Sequence, residues 1–288
     1  MQLELKPNRK PFRKYAGITG FYLGVAFIVV AATVPFLWLI ITSFKTSDRV
    51  FKKPPDLLPS PPTFDSYINV FQGRNFGQNI WNSFVAASLT TLGCLLIGTF
   101  AGYVMGRINF PGRRFLLGVV LAVSMFPGIA IIGPLYLLFS DLKLINQIPA
   151  LVLPYVTFNL PLTVWLLAAF FRDLPGELEE AAEVDGAHPF TAFYRVMLPL
   201  AVPGIVTAAI LIFINAWNDF LFANTFMNKD STFTAPVAIS QFTGVTESSE
   251  PWDQISAGAV IVTIPLVLLV LLFQRRIISG LTSGAVKG

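Results

Sequence analysis

The sequence predicts an all-α, polytopic membrane protein with six transmembrane helices, and three observations carry that prediction. Hydrophobic residues fill 54% of the 288 positions and charged residues only 12%, whereas about a quarter of a soluble domain is charged. Six stretches are long enough to cross a bilayer, which takes about 20 mostly apolar residues. Their apolar positions show no two-residue alternation, so the pattern is helical rather than that of an outer-membrane barrel. The same figures exclude a disordered chain. A single cysteine, Cys94, excludes a disulfide scaffold.

The expected spans are 16–44, 80–106, 115–140, 148–171, 200–222 and 255–273. Their cores hold no Lys, Arg, Asp, Glu or His, and Asp219, close to the end of the fifth, is the nearest exception. The first is too long for a signal-peptide core and has no small-x-small cleavage site after a short core, so it reads as a retained helix. The chain then divides into an N-terminal tail, 1–15, a six-helix domain, 16–273, and a C-terminal tail, 274–288. With the N-terminus inside, thirteen of the 20 Lys and Arg fall on the inner segments. Positive charge is enriched on the cytoplasmic side of membrane proteins, so both termini are expected there. No basic patch is interleaved with aromatics, so nucleic acid is not an expected partner; the lipid bilayer is.

Three connections are long. The outer loop 45–79 carries Pro54, Pro55, Pro59, Pro61 and Pro62, which favour extended backbone. Its Asp65-Ser66 pair is suited to start a short amphipathic helix. The outer loop 223–254 is polar and rich in Ser and Thr. Within the spans, Pro127, Pro134, Pro154, Pro161, Pro203 and Pro265 each remove a backbone donor and can kink a helix. In the second span, Gly98, Gly102 and Gly106 recur every fourth position. That spacing puts them on one face, where the missing side chains let another backbone approach closely.

The third connection, the cytoplasmic loop 172–199, holds six of the 16 acidic residues: Asp173, Glu177, Glu179, Glu180, Glu183 and Asp185. Two short helices with a break are expected. Asp173 can cap the first, and Pro175 and the glutamates suit its first turn. Gly186 suits the position just past its end, and Pro189 the first position of the second. Ala181 and Ala182 leave a flat surface for another protein. Phe190, Phe193, Tyr194 and Met197 are expected to form one apolar face.

On these residues the loop resembles a known family. Glu180-Ala181-Ala182, three residues, Gly186, nine residues, then Val196-x-Leu198-Pro199 is similar to the EAA loop of binding-protein-dependent ABC importer permeases, with Val for the commoner Ile. The segment Gly280-Leu281-Thr282-Ser283-Gly284-Ala285-Val286-Lys287-Gly288 and the run Asn215-Ala216-Trp217-Asn218-Asp219-Phe220 resemble the MalG-like, sugar-importing branch. The resemblance implies a type I importer permease (MetI-like) fold in the plasma (inner) membrane of a prokaryote. It implies a coupling helix seated on a separate ATPase, with Glu180, Ala181, Ala182, Gly186, Leu198 and Pro199 as coupling residues. It further implies ATPase contacts from Gly280, Leu281, Thr282, Gly284 and Lys287. The implied partners are a second permease subunit (MalF-like), two ATPase subunits (MalK-like) and an extracytoplasmic sugar-binding protein.

The rest of the sequence fits a subunit without chemistry of its own. It has no Gly-x4-Gly-Lys-Ser/Thr phosphate loop, so ATP and Mg are expected on the partner ATPase and no cofactor on this chain. His188 is the only histidine, beside a proline, and suits a structural role. Cys94 suits mid-span packing, and no Cys/His cluster has metal spacing. A proton-coupled carrier would be expected to bury ionisable groups in its spans, and these have almost none. A sugar pathway needs aromatic faces, amides and hydroxyls. Asn159, Asn215, Trp217 and Asn218, with Tyr136 and Tyr155, are the candidates, although interhelical bonding or interfacial anchoring would explain each equally well. A di- or oligosaccharide such as maltose or trehalose is the expected solute. Another small organic solute, glycerol phosphate for example, and a stand-alone secondary carrier are the alternatives.

Overall fold

The computed structural model describes residues 10–242 and 250–283, with side chains from 18 to 242 and from 250 to 274. Helices α1 (Lys10–Ser43), α2 (Asp65–Gln72), α3 (Phe76–Arg107), α4 (Arg113–Ser124), α5 (Gly128–Asp141) and α6 (Pro149–Asp173) make the first half of the chain. Then come α7 (Glu177–Val184), α8 (Pro189–Ala192), a π-helical turn at Phe193–Met197, and α9 (Leu198–Trp217). Two short helices, α10 (Leu221–Phe226) and α11 (Ala235–Ser240), precede α12 (Trp252–Ser283). No strand occurs among the described residues.

Four helical stretches, Ile18–Ser43, Phe76–Arg107, Pro149–Asp173 and Trp252–Gln274, are long and apolar enough to cross a membrane, and two bent pairs raise the number to six. The third expected span, 115–140, is therefore not one straight helix. It breaks between α4 and α5 with a 79° bend. Pro127 and Gly128 sit at that break, where a Pro-Gly pair favours a turn over continued helix. Pro134, Pro154, Pro161 and Pro265 lie inside helices that continue through them. The fifth span differs too. Its helix starts at Leu198 and stops at Trp217, and residues 221 and 222 belong to α10. It bends by 70° between Leu200 and Val202. Pro199 and Pro203 flank that point and remove two donors one turn apart, while the π turn just before loosens the same stretch. The segment expected as a tail from 274 is helical as far as Ser283.

The described residues form two compact units, one comprising 10–70 with 250–260 and the other 71–242 with 261–283. In the first, α1 leaves Phe21, Phe27 and Leu37 exposed, as a lipid-facing helix does. The Asp65-Ser66 pair does open α2, and Ser66 Oγ donates to the buried Asp253 carboxylate at 2.8 Å, as Ser47 Oγ does at 3.0 Å. Phe44, Phe64 and Tyr67 pack their rings together near by. In the loop, Lys52 donates to Asp56 at 3.0 Å and holds that carboxyl below the usual carboxylate range. The pair is open to solvent and contributes little.

In the second unit, α3, α6 and α9 pack around Cys94, Tyr103, Leu167, Phe171, Phe193, Met197, Ala201, Ala208 and Ile212. The glycine stripe on α3 faces α6. A Cβ built on Gly98 would come 2.6 Å from Thr163 Cγ2, one on Gly102 2.7 Å from Leu167 Cβ, and one on Gly106 2.7 Å from the Ala168 carbonyl oxygen. The stripe thus lets the two helix backbones come together at three successive turns. The Phe170 ring of α6 lies against Gly204 of α9.

Candidate functional site

The 172–199 loop folds into a helical hairpin. Its first limb, α7, ends as expected at Gly186, which has φ +83°. The Gly186 N–H bonds the Glu183 carbonyl at 3.0 Å and the Ala187 N–H bonds the Ala182 carbonyl at 2.9 Å. This is the Schellman pattern, which satisfies carbonyls the helix end leaves open. The second limb begins at Pro189, with the His188 Nδ1 accepting the Phe190 N–H at 3.4 Å. His188 therefore caps a helix. The N-cap position expected of Asp173 falls instead on Gly176, which has no side-chain bond to offer, and Asp173 is the last residue of α6.

The hairpin has an inner and an outer face. Inward, Phe193 and Met197 are buried in the core, and the Phe193 ring lies 4.7 Å from that of Tyr103 and 6.3 Å from that of Phe171. The single apolar face expected of the second limb is split, because Phe190 (61%) and Tyr194 (63%) point out. Also outward are Glu180, Ala181, Glu183, Asp185, Gly186 and Val184, which is 87% exposed, while Ala182 is half-buried. Leu198 and Pro199 lie at the base of the second limb, where α9 starts.

One acidic residue turns inward instead. Glu179 accepts from Arg107 Nε at 2.7 Å and from the Tyr103 hydroxyl, and Arg107 Nη1 reaches the Leu174 carbonyl at 3.1 Å. The sequence offered one signal for this group: Tyr103 and Arg107 stand one helical turn apart at the end of a span expected on the same side of the membrane as the Glu-rich loop.

Far from the hairpin, the other end of α3 holds a loop. Asn79 Nδ2 donates to the carbonyls of Asp230 (2.7 Å) and Phe233 (3.1 Å). Asn82 Nδ2 donates to those of Ser231 (2.9 Å) and Phe233 (3.0 Å), and Ser83 Oγ accepts the Ala235 N–H at 2.8 Å. Asn146 Oδ1 takes the Asn228 N–H at 2.8 Å. From 79 to 107 along one continuous helix is about 42 Å. The segment expected as a polar loop is thus clamped and partly helical. Asn82→Ala removes the bond to the Ser231 carbonyl and leaves that of Phe233 with Asn79 alone, and should cost about 1–3 kcal/mol locally. Faster proteolysis within 226–242, at an unchanged amount of protein in the membrane, is the expected readout.

Between these ends, α6 and α9 share a polar chain. Asn215 Nδ2 donates to Asn159 Oδ1 at 2.8 Å, and Asn159 Nδ2 to the Tyr155 carbonyl at 2.8 Å. The Tyr155 hydroxyl donates to Asp219 Oδ1 at 2.7 Å, and the same oxygen accepts the N–H groups of Phe222 and Ala223 at 3.2 Å. Asn159 and Tyr155 are buried, whereas Asn215 is exposed. Trp217 is buried and stacks on Phe213 with centroids 5.6 Å apart, and its indole N–H has no acceptor among the described residues. Asn218 is exposed and bonds the Ile214 carbonyl at 2.9 Å. Tyr136 stands exposed on α5, without a hydrogen bond or ring contact to the others among the described residues. Gly280, Leu281 and Thr282 lie in the last turn of α12, of whose side chains nothing is described, and Gly284 and Lys287 lie outside the described residues.

Comparison with known proteins agrees with this architecture. A family model for the binding-protein-dependent transport system inner membrane component matches residues 98–283, from the first glycine of the α3 stripe to the end of α12. The trehalose transport system permease protein SugB of Mycobacterium tuberculosis is 46% identical over 261 residues, covering 91% of this chain and 94% of its own length. The trehalose/maltose transport system permease protein MalG of Thermococcus litoralis is 39% identical over 268 residues, covering 92% and 95%. A chain in the crystal structure of a bacterial ABC transporter involved in the import of the acidic polysaccharide alginate shares the fold. Its TM-score is 0.77, with 21% identity, over 94% of this chain and 99% of that one. The chain belongs to the binding-protein-dependent transport system inner membrane components, the permease subunits of ABC importers.

Proposed function

We propose that this chain forms half of the translocation pathway of an ATP-driven importer for a neutral di- or oligosaccharide of the trehalose or maltose class. A second permease subunit, two ATPase subunits carrying ATP and Mg, and an extracytoplasmic sugar-binding protein complete the assembly. Both termini and the hairpin face the cytoplasm. The observation that carries the reading is the hairpin's division into two faces: a rooted inner face and an outer face of small, acidic and apolar residues left exposed among the described residues. Exposed aromatic and aliphatic side chains clustered beside acidic ones suit a protein interface. Glu180, Ala181, Ala182 and Gly186 form its centre. In this reading the end of α12, with Gly280, Leu281 and Thr282, and the following Gly284 and Lys287 add a second contact to the ATPase.

The class of solute is supported by the relatives named for trehalose and maltose and by the uncharged spans. The amides of Asn215 and Asn218 and the Tyr136 ring are exposed and suited to a sugar. Asn159 and Tyr155 hold Asn215 and Asp219 in place. The clamped 228–235 segment, at the far end of α3 from the hairpin, suits a fixed landing surface for the sugar-binding protein.

The test is uptake of labelled trehalose and maltose into proteoliposomes holding the whole assembly. Uptake is expected only with ATP on the hairpin side and the binding protein on the other. Uptake by this chain alone, driven by an ion gradient and indifferent to ATP, would overturn the proposal.

A further inference from the structure

We propose that Arg107, Glu179 and Tyr103 are positioning residues that form the link through which movement of α7 reaches the α3–α6 pair. This rests on the reading of the hairpin as the coupling element and adds the route by which its motion is passed on. The two limbs of the hairpin are rooted differently. The second continues through the π turn into α9, so its movement is transmitted to α9 by the covalent chain. The first limb, α7, has eight residues and joins α6 through the turn at 174–176. A helix of eight residues is not stable by itself and needs tertiary contacts to hold its orientation.

Arg107 supplies that hold at two points. Its Nε bonds Glu179 at 2.7 Å, within the first turn of α7, and its Nη1 bonds the Leu174 carbonyl at 3.1 Å, just past the end of α6. One guanidinium therefore fixes both sides of the turn. The second Glu179 oxygen is taken by the Tyr103 hydroxyl, so both carboxylate oxygens are bound from α3. Both side chains of the ion pair are about 15% exposed, which sets it apart from the solvent-open pairs at Asp56. Screening by water is weak there, and geometry is held by several bonds at once. On the adjoining turns Gly106 and Gly102 hold α3 directly on α6, so the two helices move as one body. Glu179 and Glu180 are neighbours with opposite tasks: Glu180 faces out toward the ATPase, and Glu179 ties the same helix to the spans.

A cut link should leave the ATPase able to move the hairpin and α9 while α3–α6 lags. Hydrolysis then continues without matching transport. The experiment measures sugar imported per ATP hydrolysed in proteoliposomes of the full assembly. Arg107→Gln and Glu179→Gln are each expected to lower that ratio about tenfold, within the usual span of a coupling free energy, with hydrolysis stimulated by the binding protein largely kept. The charge swap Arg107→Glu with Glu179→Arg should recover most of the ratio, because it restores the ion pair. Tyr103→Phe keeps the ring packing and removes one bond, so a fall of about fivefold or less is expected. It serves where an arginine variant does not assemble. A merely structural role predicts that transport and hydrolysis fall together with the amount of assembled complex. That result, or a ratio unchanged in Glu179→Gln and Tyr103→Phe, would overturn the proposal. Loss of ATP-driven uptake in the unaltered assembly would instead strike the coupling reading itself and remove both.

Discussion

Replacing Gly186 with valine should uncouple the assembly from ATP while leaving it in the membrane. The residue sits at φ +83°, and a Cβ there would meet nothing within 4 Å. The penalty is therefore conformational and not a clash: a left-handed residue with a side chain costs about 1–2 kcal/mol, and a β-branched one more. Relief comes by opening the turn, which breaks the two bonds from Gly186 and Ala187 that close α7. The angle between the limbs, and with it the outer face offered to the ATPase, is then lost. Stimulation of hydrolysis by the binding protein is expected to fall about tenfold or more, in line with a loss of 1.4 kcal/mol or above. The series should be graded. Asparagine, which tolerates this conformation, should retain most activity, alanine should be intermediate and valine lowest. A flat series would show that the turn's conformation is not what matters.

Gly106→Ala should be the most damaging single methyl on the α3 glycine stripe. Its Cβ would lie 2.7 Å from the Ala168 carbonyl oxygen and 2.9 Å from Phe171 Cβ. Neither can move without shifting α6, and overpacking of this kind costs about 1–3 kcal/mol or more. Gly102→Ala meets Leu167 Cβ at 2.7 Å and the Ala168 nitrogen at 3.2 Å, again close to backbone. Gly98→Ala meets first the methyl of Thr163, which can yield by rotating at the expense of its 2.8 Å bond to the Asn159 carbonyl. Thermal unfolding of the purified chain in detergent should rank the three accordingly, with Gly106→Ala lowest in melting temperature and Gly98→Ala nearest to the parent. The reverse order would contradict the packing of α3 on α6.

Features that depend on composition or short range could be read from the sequence. The second and fourth spans lie within a few residues of α3 and α6, because absence of charge over 20 residues leaves little choice. The hairpin's joint was equally legible, since a glycine just past a helix and a proline opening the next are local requirements of backbone geometry. The glycine stripe announced a close packing face but not its partner, because only the three-dimensional contact selects α6.

Breaks and facing were less accessible. Six prolines invite kinks at six places, yet only the Pro127-Gly128 pair interrupts its helix and only the Pro199–Pro203 stretch adds a sharp bend. An isolated proline can be absorbed where neighbouring groups satisfy the freed carbonyl, and which neighbours exist is a tertiary fact. Glu179 and Glu180 are chemically identical, and a 100° turn of helix decides that one faces Arg107 and the other the exterior. Trp217 suits an aromatic surface by residue type, yet it is turned into the protein against Phe213. Nothing in the run Asn215–Asp219 fixes the rotation of α9 about its axis. The clamp of Asn79 and Asn82 on residues 230–233 joins parts of the chain some 150 positions apart, a separation no local pattern reveals.

The central claim is that the outward face of the hairpin docks on a separate ATPase subunit. A cysteine placed at Val184, 87% exposed on that face, tests it directly. Cys94 is buried and is the only native thiol of this chain, so within the chain a thiol-specific photo-crosslinker, attached before the partner subunits are added, will mark position 184 alone. The expected result is a crosslink to the ATPase subunit whose yield changes between the ATP-bound and nucleotide-free states. Labelling of lipid or of the second permease alone, with no ATPase adduct in either state, would contradict the account.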